Sequence, residues 1–135
     1  MKALSFKKLK KIAKKYNVEL IMEKDCGWTN GGSSAGNIIS IYPCKKKWMM
    51  EISFWHELGH ILATRTHLRA GKTHSLSKLS NEGNAWETGL TEAAKYNRFW
   101  DYSDKEMEWA RECLASYVKG EYDDLPYKKV AERLL

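Results

Sequence analysis

Five consecutive residues, His56-Glu57-Leu58-Gly59-His60, carry the side chains best suited to chemistry in this 135-residue chain. The two histidines stand at i and i+4. Four residues of helix turn through about 400°, so both imidazoles leave one face, about 6 Å apart. Two ring nitrogens can then reach one tetrahedral ion at about 2.0–2.1 Å each. Glu57, one position after the first histidine, points to the flank of that face. There it can hold a water beside a metal without displacing it, and act as a general base. The flanking residues supply the helix: Met49, Ile52, Trp55, Ile61 and Leu62 recur at helical spacing between about residues 48 and 66. A random shuffle of this composition gives the pattern about once in a hundred chains, which makes a mere core or surface histidine pair a weak competitor.

A hydrolytic zinc site needs a third protein ligand and an open position for water. Cys26, Cys44 and Cys113 lie far from the motif in sequence and form no paired motif. His67 and His74 follow the helix, and Glu82 and Glu87 lie further on. Glu82 is the first choice, 22 residues after His60, enough chain for a loop to reverse and two helices to cross. Glu87 and the two histidines are the alternatives. An acid early in a helix also has a purely structural use, because it stabilises the helix dipole.

Together, the five-residue motif and the segment Glu82-Gly83-Asn84-Ala85-Trp86 resemble the ImmA/IrrE family of gluzincin-type metallopeptidases. Gly36, the stretch 37–42 and the pair Phe54-Trp55 before His56 fit the same resemblance, which covers about residues 35–90. The resemblance implies a zinc peptidase acting on a regulatory protein, typically a repressor, and commonly encoded by phages or mobile elements. It also implies that Glu82 is the third zinc ligand beside His56 and His60. Glu57 would take the proton of a zinc-activated water and pass it to the leaving amine. His67, His74 and Tyr96 are candidates to stabilise the oxyanion. Gly59, unfavourable inside a helix by about 1 kcal/mol, implies close approach of another backbone near the metal.

Elements must hold these residues in place. An amphipathic helix is expected over about residues 5–16, with Leu9, Ile12, Ala13 and Tyr16 inward, then a strand over 18–22. Residues 26–36 read as a glycine-rich loop. Residues 37–42 read as a strand at a sheet edge, able to bind an extended peptide by strand addition. After the 48–66 helix come a polar loop over 67–80, a helix capped by Asn81 and running to about Tyr96, and a capping box at Ser103 and Glu106 before a helix over 109–118. Pro126 starts a short terminal helix. Trp55, Trp86, Trp100 and Trp109 are expected in the core. The fold class is α+β. A zincin-like minimal catalytic domain is expected, with a short antiparallel or mixed sheet packed on the His56–His60 helix and a mainly helical C-terminal half, all in one domain over 1–135.

Composition narrows the function classes. Apolar residues make up 43% and charged residues 30%, a globular balance. No apolar run is long enough to cross a bilayer, and the lysine-rich start lacks the pattern of a secretory signal. Three cysteines, an odd number without close pairing, favour reduced thiols in a cytoplasm. The net charge of +6 resides in one segment: seven lysines and no acid precede Tyr16. Without interleaved aromatics or a groove-reading motif, this reads as a solvated helix face, and nucleic acid is not an expected partner. The partner expected is a protein or peptide substrate. Two other functions compete: a non-catalytic zinc-containing regulator, and a basic-helix adaptor for nucleic acid or an acidic partner.

Overall fold

The computed structural model describes residues 1–71, 78–101 and 104–119. Helix α1 spans Phe6–Lys15. Ser5 caps it, its hydroxyl accepting from the Lys8 N–H at 3.2 Å. Leu9, Ile12 and Ala13 are buried, and the intervening lysines are exposed. The helix stops where Asn17 turns into the left-handed region (φ 57°) and the Val18 N–H bonds back to the Ala13 carbonyl at 3.0 Å. Asparagine tolerates that conformation better than most residues do.

Strands β1 (Glu19–Met22), β2 (Gly32–Ala35) and β3 (Ile38–Ile41) form one mixed sheet in the order β1-β3-β2. β1 pairs parallel with β3, Glu19 opposite Ile38 and Met22 opposite Ile41. β2 pairs antiparallel with β3, Gly32 opposite Ile41 and Ala35 opposite Ile38. The 37–42 strand is therefore central and not an edge. The glycine-rich stretch expected to be a loop supplies the edge strand instead. Two local features explain the difference. Gly36 adopts φ +60° while Asn37 does not, the pattern of a two-residue type II′ hairpin turn. At Gly32 a Cβ would lie 2.7 Å from the Ser40 carbonyl oxygen, so a residue with poor strand propensity is the one that fits. Ile39 and Ile41 are fully buried beneath the sheet.

Helix α2 (Lys47–Arg69) is the axis of the molecule, about 35 Å long at 1.5 Å per residue. Between Glu51 and Ile61 most of its residues are buried, because the sheet, α1 and helix α3 (Lys78–Ala94) all pack on it. Helix α3 starts four residues earlier than expected. Asn81 is therefore an exposed residue inside the helix and not its cap, and Glu82 lies beyond the first turn, so the dipole no longer explains it. Helix α3 ends as α1 does, with Asn97 at φ 59° and the Arg98 N–H on the Ala93 carbonyl at 3.1 Å. Helix α4 (Lys105–Lys119) packs on α3. The proposed Ser103 cap, His74 and the Pro126 helix lie outside the described residues. Trp55 and Trp86 are buried as expected, whereas Trp100 and Trp109 are half-buried.

Helices α2 and α3 cross with their backbones in contact. A Cβ on Gly59 would run into the Ala85 carbonyl, and one on Gly89 would run into the Trp55 carbonyl. Gly59 thus does accept close approach of another backbone, and Gly89 is its unanticipated counterpart. A buried ion pair closes the other side of α2. Glu51, with no exposed surface, accepts from Arg98 Nη2 at 2.7 Å and Nε at 2.9 Å, from Trp55 Nε1 at 3.0 Å and from the Leu4 N–H at 2.7 Å. Four donors satisfy the carboxylate, as burial of a charge requires.

Candidate metal centre

His56 and His60 project from α2 with ring centroids 4.6 Å apart. Glu82 arrives from α3 across the glycine crossing, and each of its oxygens meets one imidazole. His56 Nε2 stands 2.9 Å from Glu82 Oε2, and His60 Nε2 stands 3.2 Å from Oε1. All three side chains retain some exposure, between 13 and 22%. Burial alone would raise the Glu82 pKa, but hydrogen bonds from His56 and His60 outweigh it and hold the carboxyl at about 2. Burial alone would lower that of His60, but the Glu82 hydrogen bond and the charges of Glu82 and Glu57 raise it.

Glu57 sits on the flank of this pair and is 6% exposed. Its carboxylate lies within 4.8 Å of a nitrogen of each histidine. Two carboxylates can thus complete a ligand set. Glu82 suits the ligand position better because it meets both Nε2 atoms directly, while Glu57 shares the histidines' helix and stands beside them. Gly32 on β2 faces Glu57: a Cβ there would come 3.5 Å from the Glu57 Cγ.

Other candidates fall away on position. Glu87 stands five residues beyond Glu82, about 140° round α3, and does not line the cleft that contains the histidines. His67 lies seven residues beyond His60 on the same helix, about 10 Å along its axis. Tyr96 packs on Trp55 at 5.7 Å, in the core. Neither His67 nor Tyr96 lines the cleft that contains His56, Glu57, His60 and Glu82. That cleft measures about 680 Å³, and its lining also includes β2, the hairpin turn, Trp86, Trp109 and Cys113.

Sequence reasoning missed several cleft residues. The whole of β2 lines it, and the signal available was the Gly36-Asn37 pair followed by Ile38-Ile39. Ser53, one turn before His56, places a buried hydroxyl there with no hydrogen-bond partner among the described residues. Cys113 comes from α4. Burial, then the charges of Glu112 and Glu82, pushes its thiol up, so it stays protonated at neutral pH.

The donor set fits a small divalent ion. Two ligand atoms of a tetrahedral centre with bonds of about 2.0–2.1 Å stand about 3.3 Å apart, close to the 2.9 and 3.2 Å found between each Nε2 and its Glu82 oxygen. Two imidazoles with one carboxylate favour zinc among the common metals. No protein-family model, curated protein or solved structure matches this chain.

The second nitrogen of His56 departs from usual practice. Ligating histidines normally donate their other N–H to a carboxylate or carbonyl, which fixes the ring. Here Nδ1 is buried with no such partner among the described residues, and the Trp86 indole lies against the imidazole instead, centroids 4.1 Å apart and planes tilted by 34°. Stacking therefore orients this ring. With zinc as the ion held here, Trp86→Leu is expected to weaken its binding by about 10–100-fold, the range for lost outer-sphere partners, while Trp86→Phe retains most of it. Competition against a chromophoric chelator measures the affinities, and thermal unfolding of the metal-free variants separates them from a loss of fold.

Proposed function

We propose that this chain is a zinc-dependent peptidase with a zincin-like catalytic domain, similar to the ImmA/IrrE family its sequence resembles. The observation that carries the reading is the single Glu82 carboxylate shared between the Nε2 atoms of His56 and His60, with Glu57 beside them at the cleft wall. His56, His60 and Glu82 would hold the ion. When bound, zinc supplies Lewis acidity, which lowers the pKa of a coordinated water toward about 7 and polarises a carbonyl.

Glu57 accepts the proton of the attacking water and delivers it to the leaving amine, so the carboxylate ends as it began. Its burial against Gly32 limits the positions it can take. The outer edge of β2 has no strand partner among the described residues, and all of β2 borders the cleft. An extended substrate can pair with that edge through backbone hydrogen bonds, which brings a carbonyl to the histidine face. Strand addition thus moves from the 37–42 strand, where sequence alone put it, to Gly32–Ala35. Retention of Glu57 favours catalysis over a zinc-containing regulator, which has no use for a base at that position.

The substrate class under this reading is a regulatory protein, such as a repressor. A cytoplasmic location belongs to the same reading, on the odd number and scattered spacing of the three cysteines. No helix among the described residues is long and apolar enough to cross a membrane. The decisive experiment is elemental analysis of purified protein, followed by incubation with an unfolded reporter protein. One zinc equivalent and cleavage that a chelator stops and zinc restores are expected. Metal-free protein that takes up no zinc on titration would overturn the reading.

A further inference from the structure

The lysines of α1 weaken the helix that carries them. Lys7, Lys8, Lys10, Lys11, Lys14 and Lys15 form six like-charge pairs at i,i+3 or i,i+4 spacing, and the helix contains no acid. Each such pair opposes helix formation. Lys7 and Lys8 also occupy the first turn, where the dipole favours the opposite charge. All six are exposed. Among the described residues none lies within 4.0 Å of a carboxylate. Lys10 lies over the Phe6 ring at 5.7 Å and Lys15 over Tyr96 at 5.5 Å, contacts that leave both charges at the surface.

We propose that this face is a docking surface for the phosphate backbone of double-stranded nucleic acid. Three observations favour that occupant. First, the apolar side of α1 is already used: Leu9, Ile12 and Ala13 lie in the core, so the helix has no face to insert into a bilayer. Second, the charge densities match. From Lys7 to Lys15 the helix rises about 12 Å, a length over which a duplex presents about seven phosphates, against six lysines here.

Third, the surface is held rigid at both ends. The Leu4 N–H is fixed on Glu51, the Lys2 carbonyl on Arg98, and Arg65 Nη1 donates to the Tyr16 carbonyl at 2.6 Å. The backbone that carries the lysines is thus ordered before binding, so the freedom lost is that of the lysine side chains alone. The contact is with backbone and not with base edges, consistent with the lack of a groove-reading motif, and so it is independent of sequence. It does not depend on the metal centre.

The test measures binding of the full chain to a fluorescent duplex of about 20 base pairs by anisotropy across salt concentrations. With all six lysines on phosphates, affinity is expected to fall about 2,000-fold between about 50 and 200 mM salt, a log–log slope near −5. In the triple variant Lys7→Gln, Lys11→Gln and Lys14→Gln, which removes repulsive pairs and leaves the two ring contacts, the same fall should shrink to about 40-fold. Circular dichroism should show the helix intact.

Absence of binding at about 50 mM salt overturns the proposal. So does an unchanged slope in the triple variant, which would put the phosphates elsewhere. Equal binding to phosphatidylserine vesicles or to polyglutamate of the same total charge also overturns it, because the face would then lack the selectivity claimed.

Discussion

Glu57→Gln should leave zinc content at one equivalent and reduce peptide hydrolysis by at least about 10²–10⁴-fold, the range for loss of a positioned general base. The replacement has nearly the same shape and keeps a hydrogen-bonding oxygen, so the packing against Gly32 survives. What disappears is the ability to hold a proton. The proposed metal ligands His56, His60 and Glu82 are untouched, which makes the separation of binding from turnover the informative result. Turnover of an unfolded reporter and elemental analysis of the same preparation read both. If Glu57→Gln protein cleaves at the wild-type rate, the base lies elsewhere or the chain is not a peptidase.

Glu82→Ala should lower zinc affinity by more than about 100-fold, beyond the effect of losing an outer-sphere partner, because a tetrahedral site falls from three protein ligands to two. Glu82 is also the only acid found on both histidines among the described residues. Its removal leaves the imidazoles with Glu57 alone nearby. Glu87→Ala is the matched control on the same helix and should bind zinc normally. Titration of metal-free protein against a competing chelator gives the comparison. A full, tightly held equivalent in Glu82→Ala would transfer the third-ligand role to another residue.

The part of the site contained in one helix was legible because its geometry is local. His56, Glu57 and His60 need only the pitch of α2 to be placed, and the apolar spacing around them identifies that helix. Glu82 was harder, because its position depends on how two helices cross. Loop length permitted the crossing, and the ligand role given to Glu82 came from the family resemblance and remains a proposal. The sheet was misread for a physical reason. Gly32-Ser33-Ser34-Ala35 has little intrinsic preference for a strand, and it becomes one because the Gly36-Asn37 turn lays it against the isoleucines of β3. That conversion moved the sheet edge, and with it the surface offered to a peptide. Glu51 and Arg98 are 47 residues apart, and their pairing left no periodic or motif signal. Likewise, nothing in sequence linked Gly59 to Gly89 before the crossing placed them together.

With no side chain between Gly59 and the backbone of α3, the gap between the two ligand-bearing helices is set by atomic radii and not by rotamers. The site therefore behaves as a caliper locked at one opening. A bulkier residue at either glycine would pry apart the jaws carrying the histidines and Glu82. The tight crossing would be lost first, and with it the spacing between the histidines and Glu82.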